Sequence, residues 1–196
     1  MERRNFIISG GRCCIAAGVC TLIPNSAFTD IGSAQQEIKH SCEERMEFAG
    51  KWLERFMDVL DSGLDEKTRN SIMEENGKAC ASAYLKSSGK KDPKVVPFDE
   101  FLKRAAENKD GTYQVDGKAL YMTYLSNYQG KVASENICLC PFVENKPEKL
   151  SRTYCRCSVG YIKEIYSRVF GQPVKVELLS SVLHGDKRCR FRIELA

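Results

Sequence analysis

The sequence predicts an α+β fold in which N-terminal helices pack on an antiparallel sheet, and two observations carry that expectation. Apolar residues recur at three- and four-residue spacing through the first half of the chain. After Gly111 the pattern changes to aromatic and β-branched runs alternating with polar residues around turn signals. Helices and strands are therefore segregated along the chain rather than alternating, which argues against a parallel sheet. A chain of 196 residues supports one domain with a proper core. Its hydrophobic content of 42% and charged content of 29% are those of a soluble globular protein and exclude a disordered or multi-span one. The formal charge is +4, with lysine and arginine scattered among 26 acidic residues, so no basic stripe marks a nucleic-acid partner.

The chain opens with paired Arg3 and Arg4 ahead of Phe6 and Ile7, and a modestly apolar run continues to Ile23 before Pro24 breaks it. Gly10, Gly11 and Arg12 interrupt the run, which is too weak for a comfortable transmembrane helix. It resembles the twin-arginine export signal, Arg-Arg-x-Phe followed by Leu or Ile. Residues 1–34 then form the signal segment and 35–196 the domain, with Gly32-Ser33-Ala34 supplying small residues for cleavage. The resemblance implies a periplasmic or other extracytoplasmic destination, reached by proteins that fold before crossing and often carry a cofactor already. Val19 makes Ala17 to Cys20 a poor lipidation box, and membrane attachment through this segment stays open. The alternative is the basic, frayed N-terminus of a cytoplasmic protein.

From Gln35 to Leu60 the stripe Cys42, Met46, Ala49, Leu53, Phe56 and Leu60 predicts an amphipathic helix ended by Asp61-Ser62-Gly63. A second helix runs from Asp65 to Leu85, a polar loop covers Ser87 to Pro93, and Phe98 to Ala106 reads as a third helix. Thr112–Val115 and Leu120–Leu125 flank an Asp116-Gly117 turn and predict a hairpin. Ser134–Phe142 is a further strand candidate. Ser158 to Phe170 returns to helical spacing and is closed by Gly171 and Pro173. Val174, Val176 and Leu178 form one alternating strand, and Cys189, Phe191, Ile193 and Leu195 another, joined by a loop over His184–Arg188.

Ten cysteines are the unusual feature. Cys138 and Cys140, on a strand, would turn both sulfurs to one face. Cys155 and Cys157 precede a helix whose free N–H groups and positive dipole end favour thiolate. Two such pairs can supply four soft ligands in a tetrahedron, suiting zinc or, less well, an iron–sulfur centre. The competing readings are two disulfides across the intervening loop, or buried thiols alone. A further variant uses three of the four cysteines with Glu135 or Glu144. Cys80 reads as a small buried helix residue that could also reach the cluster, and Cys189 as core beside Phe191 and Ile193.

The stretches Tyr154-Cys-Arg-Cys-Ser-Val-Gly-Tyr161, Phe170-Gly-Gln-Pro-Val174 and Ser181-Val-Leu-His-Gly-Asp-Lys-Arg-Cys-Arg-Phe191 resemble the 4-vinyl reductase domain family. They are more similar still to proteins like L-2-amino-thiazoline-4-carboxylate hydrolase. The likeness covers about the last 60 residues, with order and spacing kept. Asn76-Gly-Lys-Ala-Cys-Ala81 also resembles the hydrolase-like group's cysteine-glycine-x-x-cysteine-alanine helix, with Asn76 in place of the first cysteine. The resemblance implies a 4-vinyl-reductase-like ligand-binding fold enclosing a small hydrophobic or aromatic molecule. It also implies a cysteine-held zinc near the pocket, with Cys155 or Cys157 as one ligand and Cys138 or Cys140 as its upstream partner.

Only His40 and His184 are available for histidine chemistry, and both read as polar surface or turn residues. No phosphate loop, His-Glu-x-x-His or serine triad is present. The first expectation is an exported zinc-containing small-molecule-binding or sensor module. The second is a hydrolase of a small cyclic, thiazoline-like substrate with Cys80 as nucleophile and His184 as a further candidate. The third is a disulfide-stapled interaction protein. Pairing into a homodimer stays open.

Overall fold

In a computed structural model of the chain, the described residues are 41–87, 93–125, 134–140, 143 and 150–196. The segment read as a twin-arginine signal, His40, Glu144 and part of the polar loop after the second helix lie outside them. The described elements are helices α1 (Cys42–Gly63), α2 (Glu66–Ser87) and α3 (Phe98–Glu107), and strands β1 (Tyr113–Asp116) and β2 (Ala119–Thr123). Helix α4 (Arg156–Phe170) and strands β3 (Val174–Ser180) and β4 (Arg190–Leu195) complete them. The strands form one antiparallel sheet in the order β1-β2-β4-β3, which is the expected α+β class.

Local chemistry sets most boundaries. Ser41 caps α1 through the Glu44 N–H at 3.1 Å while Glu44 accepts the Ser41 N–H at 2.6 Å, a reciprocal capping box. Asp65 accepts the Thr68 N–H at 3.0 Å and starts α2. Gly117, at φ 58°, supplies the left-handed residue that the tight β1–β2 turn needs. Gly171 does the same after α4, at φ 66°.

One face of the sheet is apolar because Leu120 sits opposite Ile193 and Met122 opposite Phe191. These residues pack with Phe98, Leu102 and Ala105 of α3 and Val159, Ile162, Tyr166 and Phe170 of α4 into the main core. A second, smaller core joins Met57 and Leu60 of α1, Met73 of α2, Val143, Leu150 and Leu183, with Cys138, Cys140, Cys155 and Cys157 packed against it.

Two expectations need correction. Residues 134–140 form no strand: Glu135-Asn136 is a turn, with Asn136 at φ 63°, so period-two geometry does not orient Cys138 and Cys140. Phe142, the expected end of that strand, lies outside the described residues. The α1 stripe is buried only near its C-terminal end. Met57 and Leu60 are covered, whereas Met46 is 57% and Phe56 37% exposed, because α1 meets the second core through its last turns alone. Among the described residues no helix is long and apolar enough to cross a membrane.

Candidate functional site: a thiol cluster beneath a glycine crossing

Helices α2 and α4 cross in backbone contact. A Cβ on Gly77 would lie 1.9 Å from the Cys157 carbonyl oxygen, and one on Gly160 1.8 Å from that of Glu74. Only hydrogen fits at either point. Glu74, largely buried, pairs with Arg156 and lies 3.5 Å from Lys163 Nζ, which fixes the α4 start against α2. A 3-10 turn, Arg152–Cys155, leads straight into α4. It is pinned from below by Asp61 at the end of α1, whose carboxylate accepts from Ser151 and, at 2.6 Å, from Thr153 Oγ1. The positions of Cys155 and Cys157 thus follow from three helices.

The sulfurs of Cys138, Cys140, Cys155 and Cys189 gather there. A thiolate at Cys189, Cys138 or Cys140 would hold the Cys155 proton more tightly, one at Cys140 or Cys189 that of Cys138, and one at Cys140 that of Cys189, so each of the six pairs is electrostatically coupled. Each sulfur also has a hydrogen-bonding partner. Cys138 accepts the Cys140 N–H. Cys155 Sγ is 3.0 Å from the fully buried Ser181 hydroxyl. Cys189 receives the Val182 N–H and the Ser181 hydroxyl. Cys140 Sγ is 3.3 Å from the Tyr154 hydroxyl. Burial holds Tyr154 protonated, helped by Cys140, so its O–H can donate to that sulfur.

The helix start does not by itself produce thiolates. Burial pushes Cys155 up to about 12 and Cys138 and Cys157 up to about 11, outweighing the donors around them. Burial raises Cys189 as well. The seven described cysteines, these among them, are free thiols rather than disulfides. Among the described residues no three histidine, cysteine or acidic side chains close to metal-binding distance. The donor set nevertheless matches a soft cation in kind: four mutually interacting sulfurs, each with a hydrogen-bonding partner.

Cys189 packs against the main core and Cys157, with Cys138, Cys140 and Cys155, against the second, but Cys157 is electrostatically coupled to Cys140 alone of the four. Its sulfur accepts from Asn76 Nδ2 at 3.8 Å, and the largest charge acting on it is that of Cys80, ahead of Cys140. Cys80 is exposed on α2, not buried as its alanine neighbours suggest. His184 ends a short 3-10 turn, Val182–His184, with Nε2 3.3 Å from the Arg152 carbonyl oxygen and Gly185 following at φ 95°. Glu135 is exposed and pairs with Lys187 at 3.1 Å. Alternation along the last strand could not disclose the membership of Cys189, because it lies just before β4, where the chain turns toward Ser181. The one signal available was its distance of eight residues from Ser181, across a turn that brings both to Cys155.

A separate open hollow of about 390 Å³ lies on the outer face of the sheet, lined by Gln114, Val115, Asp116, Tyr121 and Arg190. Its lining mixes polar and charged side chains with Val115 and the Tyr121 ring, so it is not the enclosed apolar pocket that the resemblance implies.

Fold and site together define a thiol-clustered α+β domain with helices on one antiparallel sheet. The chain belongs to DUF6144, a family of unknown function, whose model matches residues 30–196. No curated protein matches it. Among solved structures it is similar to a trafficking protein particle complex subunit 3 from Naegleria fowleri covalently bound to palmitic acid. That match has 15% identity and TM-score 0.42, covering 79% of this chain and 96% of that one. It is also similar to the phenol-responsive sensory domain of the transcription activator PoxR with phenol, at 14% identity and TM-score 0.36, covering 76% and 74%. A vinyl-4-reductase family protein from Methanocaldococcus jannaschii gives 15% identity and TM-score 0.31, covering 77% and 81%.

Proposed function

We propose that the chain is an exported small-molecule-binding or sensor module built around a cysteine-held metal, zinc by preference. The observation that carries the reading is the group of four thiols, Cys138, Cys140, Cys155 and Cys189, in which every pair interacts and every sulfur has a hydrogen-bonding partner. Donors aimed at sulfur stabilise thiolate, and the cost of burying four of them is what a divalent cation offsets. A metal would supply that charge and displace the thiol protons. The sulfurs would have to draw inward to coordinate it. Cys157 is the alternative fourth ligand, and its weaker connection to the other three favours Cys189.

The ligand is a small hydrophobic or aromatic molecule, a reading supported by the 4-vinyl-reductase-like motifs over the last 60 residues. Four protein sulfurs would leave the metal no open position, so it would organise the module rather than act on a substrate. Export rests on Arg3, Arg4 and Phe6.

The test is elemental analysis with a thiol count on the purified chain, alongside Cys138→Ser, Cys140→Ser, Cys155→Ser, Cys157→Ser and Cys189→Ser. About one zinc per chain, lost in the Cys138, Cys140, Cys155 and Cys189 variants and kept in Cys157→Ser, is the expected result. Metal-free protein with every thiol titratable after zinc addition would sink the metal reading.

A further inference from the structure

Three described thiols lie outside the four-sulfur cluster, and the α2–α4 crossing brings two of them, Cys80 and Cys157, to one place while Cys42 starts α1. Asn76 and Cys80 lie four residues apart on α2 and so share a face. The Asn76 amide reaches Cys157 Sγ at 3.8 Å, which lays the Cys157 side chain along that face. The crossing is locked: the Gly77 and Gly160 contacts leave no room for slippage, and the ion pairs of Glu74 hold the other side. Cys80 is exposed and open to a reagent from solvent, whereas Cys157 is half-buried. An accessible attacking thiol with a sheltered resolving thiol is the arrangement of a dithiol that cycles with its disulfide.

We infer that Cys80 and Cys157 form a reversible redox pair joining α2 to α4, with a low-molecular-weight disulfide as oxidant. The inference rests on the assignment of Cys189 rather than Cys157 to the metal. The Cys80 thiolate attacks one sulfur of the small disulfide, whose S–S bond breaks, and the other half leaves as a thiolate that takes up a proton. Cys157, losing its own proton, then attacks the Cys80 sulfur of the mixed disulfide and releases the second half as a thiol. The protein loses two hydrogens and two electrons, and the small disulfide becomes two thiols. Only Arg156 separates Cys157 from Cys155, so the link would lie beside the thiol cluster.

The probe is oxidised glutathione applied to the full chain, followed by proteolysis and mass analysis without reduction, with zinc measured on the same samples. The expected product is a peptide pair joined through Cys80 and Cys157, removed by dithiothreitol, with no loss of zinc. In Cys157→Ser the reaction should stop at a glutathione adduct on Cys80, and in Cys80→Ser neither product should form at these two positions. A persistent Cys80 adduct in the unmodified sequence would show that the sulfurs cannot meet and overturn the pair. Zinc lost from Cys157→Ser would make Cys157 a ligand and overturn it too. Wild-type protein without zinc but with the Cys80–Cys157 link would refute the metal reading and leave the redox pair standing. Helix content by circular dichroism in both variants separates chemistry from misfolding.

Discussion

At the scale of single residues, Asp61 shows how one side chain serves the site without touching a thiol. Its carboxylate joins the end of α1 to the 3-10 turn ahead of α4 through Ser151 and Thr153, with Arg69 Nε 3.4 Å away. Burial would raise its pKa, but the two hydroxyls and the Arg69 charge outweigh that, and the net shift is downward. A carboxyl with a depressed folded pKa adds stability above its unfolded value, and that contribution is lost as pH falls through the folded one. Asp61→Asn should therefore cost about 1 kcal/mol near neutral pH, at the low end for a charged hydrogen bond because the group is partly exposed. The difference should vanish in acid, below the folded pKa. Urea unfolding of both proteins across pH checks this, and a constant difference down to acid would mean that charge plays no part. The sequence marks Asp61 only as part of the stop after α1, since the two hydroxyls that give it this role are some 90 positions away.

At the scale of elements, the sequence discloses the helices and the hairpin because each has a local cause: a cap, a glycine turn or a period. Two elements escape it for physical reasons. The Ser134–Phe142 stretch has strand-like composition, yet residues 134–140 form a turn and a loop whose Cys138 and Cys140 meet sulfurs from distant segments. The α1 periodicity extends further than its burial, because a repeating pattern does not say where a neighbouring helix ends. Met57 is fully buried and Trp52 is 52% exposed on the same helix. Met57→Ala should thus cost roughly 2 to 5 kcal/mol and Trp52→Ala within about 0.5 kcal/mol of nothing, read from denaturant midpoints. Gly77→Ala adds one carbon where the Cys157 carbonyl already sits, and backbone cannot rotate away as a side chain can. A loss of about 3 kcal/mol is expected from this overpacking, with Gly160→Ala similar. Tolerance of both substitutions would mean the helices are not in contact.

For the molecule as a whole, the decisive feature is that it has two cores of different kinds. The main core is closed by side chains alone: Leu120, Phe191, Ile193 and Val159 are almost wholly buried between sheet and helices. The second is small and edged by thiols, so a metal held by those sulfurs would add to its closure. A ligand that binds only the folded form stabilises it by mass action, and the gain appears where the bound state closes the structure. If zinc occupies the cluster, chelation should raise amide exchange in the last turns of α1, the 3-10 turn at Arg152–Cys155 and the Ser181–Gly185 turn. Exchange in β2 and β4, whose hydrogen bonds lie over the main core, should change far less. Hydrogen exchange followed by peptide mass analysis, with and without chelator, measures both regions in one experiment. Uniform loosening would place the metal under the stability of the entire fold. No change anywhere would mean that burial and the thiol hydrogen bonds already close the second core, so that the cluster is a set of buried, protonated thiols rather than a metal's cage.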